Sequence, residues 1–267
     1  MSTIRIGTLN VQNNKTNRTG GINSSGSDNT EILGNFIENN DFYFLGAQEI
    51  VRVFSKKLLS KSNKYKIYGG YRYGDSKLVQ KVGFLNDFNE SNPIITKGKV
   101  LTTKTNLLPW FPNNPIDLFK AIKHGSIMPR IITSAEIEDN EVGKITILNT
   151  HLDYQLESVQ KRQLKSILKM IKIIIKENPN IVLTGDFNME KGINIQFDEF
   201  IDELDKIGLK RVEVNNKTNA EKFSNKSAID HIFIPKHWIV EKAGIIDDEN
   251  LKSVTDHKGI YADVKIR

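Results

Sequence analysis

The sequence contains no cysteine among its 267 residues. This absence excludes disulfide bonds, thiolate catalysis and zinc sites built from cysteine. Long hydrophobic runs are also missing, since the longest apolar-rich stretch, Leu164 to Ile175, is interrupted by lysines and is too short and too charged to span a membrane. The N-terminus, MSTIRIGTLNV, lacks a charged start followed by an apolar core. No secretory signal is visible, and we expect a soluble, cytoplasmic protein.

The composition is that of a globular chain with ample core. A hydrophobic content of 38% suits one large α/β domain or two small ones. Because no long linker or short tandem repeat is visible, we expect a single domain over residues 1–267. The net charge of +6 and the pI of about 9.2 favour anionic partners such as phosphate esters, nucleic acid or acidic lipid. Lysine as an ordinary surface residue explains the charge equally well.

The hydrophobic pattern predicts strands mixed with helices. Apolar and β-branched runs predict strands at 4–11, 42–47, 82–85, 93–96, 100–105, 130–138, 144–150, 181–184, 228–234 and 259–266, and helical spacing predicts helices at 28–39, from 156 to 178 and at 197–207. A hairpin turn is expected at 139–143, and a proline-punctuated loop at 107–115 carries Trp110. Strict alternation of strand and helix is missing, which favours sheets covered by helices over a parallel barrel.

Polar side chains recur at the ends of these predicted strands. They are Asn10, Gln48, Glu49, His151, Asp153, Asp186, Asn188, Asp230, His231, Asp256 and His257. Each has a structural explanation, because an asparagine can cap a turn and a lone histidine is more often exposed or satisfied in a core than a ligand. Their recurrence favours a site, since groups beyond the strand ends of an α/β sheet commonly bind ligands.

The residue types indicate a reaction. Glu49, Asp186 and Asp256, with the amides of Asn10 and Asn188, offer hard oxygen ligands that suit Mg²⁺, Mn²⁺ or Ca²⁺. A hard cation beside two histidines suits hydrolysis of a phosphate ester: one imidazole takes a proton from water, and the other donates to the developing charge.

The segments TLNV, QE, NTHLD, TGDFN, IDHIF and TDH, in this order, resemble the endonuclease/exonuclease/phosphatase superfamily, the group of deoxyribonuclease I. The resemblance runs from Thr8 to Lys258 and is nearest to small bacterial members. It implies an α/β (α+β) fold, namely a four-layer sandwich. Two mixed, mainly antiparallel sheets would pack face to face, with helices outside and one active site at the sheet ends.

The resemblance also implies a metal site. Glu49 matches the principal metal ligand, and Asn10 and Asp256 match residues near the metal. The implied cofactor is Mg²⁺ or Mn²⁺.

The same resemblance implies five catalytic residues. His151 matches the histidine that stabilises the scissile phosphate or protonates the leaving group, and Asp186 and Asn188 match the pair that positions the nucleophilic water. His257 matches the general base, and Asp230 matches the carboxylate that orients it.

Three further residues are implied near the substrate. Arg130 in MPR resembles an arginine that reaches the phosphate, Arg72 lies where related bacterial proteins carry an Arg-Asp-Gly turn, and Glu90 resembles an acid that pairs with His151. For Arg72 and Glu90, an exposed loop charge is an equally good explanation. Thr255 stands where the usual motif has serine and keeps the hydroxyl group.

Departures from related patterns narrow the substrate. Abasic-site repair is disfavoured because NTHLD replaces the usual Tyr-x-Pro-Asn segment, and Met189-Glu190 do not match inositol phosphatases. The helix containing Gln160, Arg162 and Gln163 is similar to that of the small bacterial members.

The favoured prediction is therefore a metal-dependent phosphodiesterase or nuclease that uses in-line attack of a histidine-activated water. The alternative is a phosphomonoesterase acting on a sugar phosphate, nucleotide or phospholipid headgroup. A non-catalytic binding module is the least favoured, since no motif is lost. The sequence has no basic stripe interleaved with aromatic residues, so nucleic acid as a partner rests on family analogy. No protein partner is evident.

Overall fold

The computed structural model describes residues 2–11, 29–61, 63–74, 76, 89–124, 128–140, 143–214, 229–255 and 257–266. The strands are β1 (Thr3–Asn10), β2 (Phe44–Gln48), β3 (Ile50–Val51), β4 (Lys66–Tyr68), β5 (Glu90–Ser91), β6 (Ile94–Thr96), β7 (Lys99–Leu108), β8 (Arg130–Asp139), β9 (Gly143–His151), β10 (Ile181–Asp186), β11 (Leu209–Arg211), β12 (Asp230–Pro235), β13 (Ile239–Ile245) and β14 (Ile260–Lys265). The α-helices are α1 (Asn29–Asn39), α2 (Arg52–Lys61), α3 (Pro115–His124), α4 (Glu157–Ile174) and α5 (Ile195–Lys206). The strand predicted at 82–85 lies outside the described residues.

Two six-stranded sheets share one pairing pattern. The first has the order β13-β14-β1-β2-β6-β4, and the second has the order β11-β12-β10-β9-β8-β7. In each sheet the central pair is parallel, β1 with β2 and β9 with β10, and the other pairs are antiparallel. The prediction of mixed, mainly antiparallel sheets is confirmed.

Among the described residues, three large hydrophobic cores define four layers, and Leu156 and Val159 form a small fourth cluster. The inner core lies between the sheets and includes Phe44, Ile147 and Val182. One outer core packs α1 and α2 on the first sheet, and the other packs α4 and α5 on the second. Strands buried on both faces explain the near-continuous apolar runs of β2 and β10. The predicted four-layer α/β sandwich is confirmed.

The sheets approach closely where β2 meets β9 and β10. An added Cβ at Gly46 would lie 2.3 Å from Thr184 Oγ1 and 2.6 Å from Asn149 Oδ1, so only glycine fits this crossing. Gln48 Nε2 donates to Asn149 Oδ1 at 2.7 Å, and Asn149 Nδ2 donates to Ala47 O at 2.8 Å. This buried polar network fixes the end of β2 relative to the second sheet.

Two helices and one long strand were not predicted from the sequence. In α2 only a few apolar positions face inward, with Phe54 and Leu58 four residues apart. Helix α3 begins inside the predicted proline loop: Asn114 Oδ1 accepts from Asp117 N at 2.8 Å, and Pro115 follows at the first helical position. Asparagine followed by proline is a helix-start signal, so the end of the predicted loop at 107–115 is in fact the start of a helix. Strand β13 is the third omission.

In the described part of the chain, none of the helices combines the length and the apolar character needed to cross a bilayer.

Candidate active site

The central strands of both sheets end at one edge of the sandwich. Asn10 lies opposite Gln48 at the ends of the parallel strands β1 and β2. In the second sheet, Asp186 at the end of β10 lies opposite His151 on β9 and opposite Asp230 at the start of β12. Because parallel strands present their carboxyl ends at the same edge, strand pairing aligns the polar residues within each sheet, and the packing of the two sheets brings the two sets together.

The segment GDFN places a carboxylate and an amide by backbone geometry. Gly185 has φ 157°, and an added Cβ would lie 2.3 Å from Thr150 O of the neighbouring strand. Asp186 is buried, and its Oδ1 accepts from the backbone N–H of Asn188 at 2.9 Å. Asn188 has φ 52°, a left-handed conformation that asparagine tolerates, and its Nδ2 donates to Leu152 O at 3.0 Å.

Asn10 joins two carboxylates. Its Nδ2 donates to Glu49 Oε1 at 3.0 Å and to Asp186 Oδ2 at 2.9 Å. Glu49 has φ 60°, a strained conformation for a residue with a long side chain and one typical of functional sites. Burial raises the pKa of Asp186, against the opposing effects of His257 and of the Asn10 hydrogen bond. An acidic pair is therefore held in a poorly solvated place.

His151 lies between these two carboxylates. Its Nδ1 is 3.8 Å from Glu49 Oε1, and its Nε2 is 3.7 Å from Asp186 Oδ2. The ring is buried, and Nδ1 has no hydrogen-bond partner among the described residues. Burial, and next the positive charges of Arg130 and Arg72, hold the pKa of His151 well below its usual value. The imidazole is consequently neutral at physiological pH.

His257 is paired with Asp230. Its Nδ1 lies 3.2 Å from Asp230 Oδ2 and 3.9 Å from Asp186 Oδ2. The Thr255 hydroxyl donates to the carbonyl oxygen of Asn10 and accepts from the backbone N–H of His257 at 2.9 Å. The hydroxyl that threonine shares with serine thus ties the His257 segment to the end of β1. The neighbouring Asp256, predicted near the metal, lies outside the described residues.

Two arginines add positive charge to the site. Arg72 forms a buried ion pair with Glu90, and burial, followed by the charge of Arg130, lowers the pKa of Arg72 to about 9. Arg130 is also buried, and its Nε has no hydrogen-bond partner in the described part of the chain. Glu90 therefore pairs with Arg72, whereas the sequence predicted that it pairs with His151. The pairing differs because Arg72 N donates to Glu90 O, which aligns the two residues side by side.

The donor set fits a hard cation. Ligand atoms of Asp186, Asp230 and His257 all lie within 4.8 Å of one another. Glu49, predicted as the principal metal ligand, is linked to Asp186 through Asn10, whose Nδ2 donates to both carboxylates. Asp186 therefore belongs to both groups. Carboxylate oxygens dominate, as Mg²⁺ and Mn²⁺ prefer.

Asp153 and His231, which the sequence grouped with the candidate site residues, have structural roles. The Asp153 carboxylate accepts from the backbone N–H groups of Gln155 and Leu156, at 2.9 and 2.8 Å, and so holds a turn. His231 is buried against Phe197, and its Nε2 lies 2.9 Å from Met189 O. Burial is the main reason that its pKa falls to about 3.

His231 gives a prediction for acid stability. The unfolded chain takes up a proton on this residue below about pH 6.5, whereas the folded protein does so only near pH 3, so folding stability falls as the pH falls between these values. As the pH falls through this window, the free energy of unfolding should decrease less steeply in the His231→Gln variant than in wild type. The difference between the two slopes should be up to about 1.4 kcal/mol per pH unit. Urea unfolding from about pH 7 to about pH 4, with chelator present, measures the slope. The exposed His237→Gln variant is the control, and equal slopes for wild type and His231→Gln would contradict the prediction.

Sequence reasoning missed the residues that support the site from behind. The sequence predicted no supporting role for Thr255, which ties the His257 segment to β1, or for Asn149, which bonds across the two sheets. A signal was present for Asn149: an amide directly after Ile147 and Leu148 in a predicted strand requires a hydrogen-bond partner when the strand is buried.

The fold and the edge of polar residues define an α/β sandwich with an acid- and imidazole-lined site. Neither a scan against protein-family models nor a search of curated proteins finds a match for the sequence. Solved structures do match. An endonuclease/exonuclease/phosphatase from Bacteroides vulgatus superposes with a TM-score of 0.74 at 20% identity, with 100% of both chains covered.

Two other solved structures cover nearly the whole chain. A mannosyl-6-phosphatase from Bacteroides thetaiotaomicron has a TM-score of 0.74 at 18% identity, with 98% of this chain and 100% of that chain covered. D. rerio TDP2, complexed with a single-strand DNA product, has a TM-score of 0.63 at 15% identity, with 99% and 100% covered. The chain therefore has the fold of the endonuclease/exonuclease/phosphatase proteins, as its motifs predicted.

Proposed function

We propose that this protein is a divalent-metal-dependent phosphoesterase, with Mg²⁺ or Mn²⁺ as cofactor. The observation that carries the proposal is the meeting of Glu49, Asp186 and the His257–Asp230 pair at one edge of the sandwich, beside two buried arginines. Acids, imidazoles and guanidinium groups at one edge of the sandwich match the three needs of ester hydrolysis at phosphorus: a cation site, a base and an anion site.

Glu49, Asn10 and Asp186 are the residues that would hold the cation. The carboxylates of Glu49 and Asp186 already meet at the Asn10 amide, which donates to both. Because burial makes the negative charge of Asp186 unfavourable, a bound cation would offset this cost of desolvation. When bound, the cation supplies charge neutralisation at the non-bridging oxygens and support for the leaving oxygen. Asp256 is a further ligand implied by the motif.

His257 is proposed as the general base. With Nδ1 paired to Asp230, Nε2 is the nitrogen that we assign to accepting a proton from the attacking water. Asp230 keeps the tautomer and stabilises the imidazolium that forms, as a carboxylate does for a catalytic histidine elsewhere. Asn188, whose backbone N–H donates to the Asp186 carboxylate, is proposed to orient that water.

His151, Arg130 and Arg72 are proposed to bind the phosphate. The neutral imidazole is a hydrogen-bond donor to a phosphoryl oxygen, and the two guanidinium groups supply positive charge in a buried environment. Arg72 stays protonated at neutral pH, since even its lowered pKa is about 9. Glu90 holds Arg72 in place through their ion pair.

Family analogy favours a phosphodiester, including nucleic acid, as substrate. A phosphate monoester is the second candidate, because two buried arginines suit the dianion of a monoester better than the single charge of a diester. Both candidates have a structural neighbour: the mannosyl-6-phosphatase supports the monoester, and TDP2 with its DNA product supports the diester.

A substrate panel tests the proposal. With Mg²⁺ or Mn²⁺ we expect release of p-nitrophenol from a diester, a monoester or both, or nicking of a plasmid. EDTA should abolish the activity, and excess Mg²⁺ should restore it. Binding of the cation should also raise the Tm, by mass action on the folded state. Activity that survives exhaustive chelation, or no hydrolysis of any phosphate ester with any divalent ion, would contradict the proposal.

A further inference from the structure

An exposed aromatic ring stands beside the buried arginine of the site. Tyr154 follows the NTHLD segment and is 51% exposed, although it lies three residues after His151. Its ring centroid is 6.0 Å from Arg130 Cζ. An exposed aromatic side chain at this position can contact a ligand whose phosphate occupies the arginine side.

The turn that carries Tyr154 is held rigidly by helix α4. Gln160 Nε2 donates to Asp153 O at 2.8 Å, and Gln163 Oε1 accepts from Asp153 N at 2.9 Å. The Asp153 carboxylate closes the turn from the inside. The Tyr154 side chain therefore projects from a turn that four hydrogen bonds hold, so its position is built into the fold.

The same glutamine holds a second aromatic segment. Gln163 is fully buried, and its Nε2 donates to Pro109 O at 2.9 Å, next to Trp110 and Phe111. Phe111 is 49% exposed, and its ring packs edge-on against Trp110, with the centroids 5.6 Å apart. One side chain thus couples the two loops that carry exposed aromatic faces.

From this arrangement we propose that Tyr154 binds a ring of the substrate that is joined to the phosphate, and that Gln163 is a positioning residue for this contact. The proposal rests on the proposed function, because it takes the arginine side as the phosphate site. The ligand class is a phosphate ester of a sugar or of a nucleoside, whose ring faces stack on an aromatic side chain. Gln163, which bonds both loops, then fixes the position of the ring relative to the phosphate.

Equilibrium binding tests the proposal with three anions: inorganic phosphate, ribose 5-phosphate and adenosine 5′-monophosphate, each titrated calorimetrically with Mg²⁺ present. We expect the nucleotide to bind wild type more tightly than phosphate does, and Tyr154→Leu to weaken the nucleotide roughly tenfold, as loss of one stacking contact does. Phosphate affinity should change by less than about twofold, since the arginines are intact. If either ester is hydrolysed during the titration, the ratio of KM values replaces the ratio of affinities.

Two further variants separate stacking from damage to the fold. Tyr154→Phe keeps the ring and should retain nucleotide affinity. Gln163→Met removes both loop contacts at similar volume and should weaken the nucleotide but not phosphate. The ribose 5-phosphate titration shows whether the sugar or the base meets the ring.

The outcomes are distinguishable. If wild type does not bind phosphate at all, the proposed function fails, and this inference fails with it. If phosphate binds but neither ester binds more tightly, or if Tyr154→Leu weakens all three anions equally, only the inference is overturned.

Discussion

The Asp186→Asn variant should hydrolyse phosphate esters at least about a thousandfold more slowly than wild type, the scale on which loss of a preorganised electrostatic group affects catalysis. Both oxygens of Asp186 already accept hydrogen bonds, Oδ1 from Asn188 N and Oδ2 from Asn10 Nδ2. An asparagine amide has one accepting and one donating end, so it must oppose one of these donors. The substitution also removes the negative charge that the proposed cation needs.

The measurement is kcat/KM on the best substrate of the panel, with Mg²⁺ titrated up to saturation. We expect the lost activity not to return at high Mg²⁺, because the variant lacks the negative charge of the ligand and one of the two hydrogen bonds that Asp186 accepts. Asp202→Asn, on the exposed face of α5, is the matched control and should keep full activity. Circular dichroism and Tm separate loss of chemistry from loss of fold. A folded Asp186→Asn protein with activity within about tenfold of wild type would remove Asp186 from the proposed machinery.

The central fold was predictable because its sequence signals are local. The apolar runs of β2 and β10 predict strands, and the long amphipathic pattern of α4 predicts a helix, without any information from distant parts of the chain. The pairing of the sheets was not local: it depends on Gly46, which permits the close crossing, and on the Gln48–Asn149 hydrogen bond between residues far apart in sequence. No periodicity reveals such a contact, and the resemblance to a family supplied the four-layer arrangement.

The site was predictable to the extent that strand ends were. Asn10 ends a strand of the first sheet, and His151 and Asp186 end parallel neighbours of the second, so finding the strand ends located the candidate residues, and the packing of the two sheets brings them together. The partner of Glu90 was not predictable, because it depends on the loop that brings Arg72 alongside. His231 shows that a polar residue at a strand end need not belong to the site. It follows the candidate catalytic residue Asp230, but its burial in the structure shows that it has a packing role.

The His257–Asp230 pair gives the second large effect. We expect His257→Ala to lower kcat by about 10² to 10⁴, the usual contribution of a positioned acid or base. Asp230→Asn should also lower kcat strongly, because an amide can present its N–H₂ to Nδ1 and so reverse the tautomer in which Nε2 is the proton acceptor. The surface variant His237→Ala is the matched control and should be unaffected.

The double variant decides whether the two residues act as a unit. If Asp230 works by orienting His257, adding Asp230→Asn to His257→Ala should cost little more, since the base it orients is already gone. Independent roles would instead multiply the two losses. Asp230 also lies within 4.8 Å of the ligand atoms of Asp186, so a direct part in cation binding is the competing explanation. That role would appear as a raised Mg²⁺ requirement in Asp230→Asn but not in His257→Ala, and multiplicative losses together with this shift would reassign Asp230 from the base to the cation.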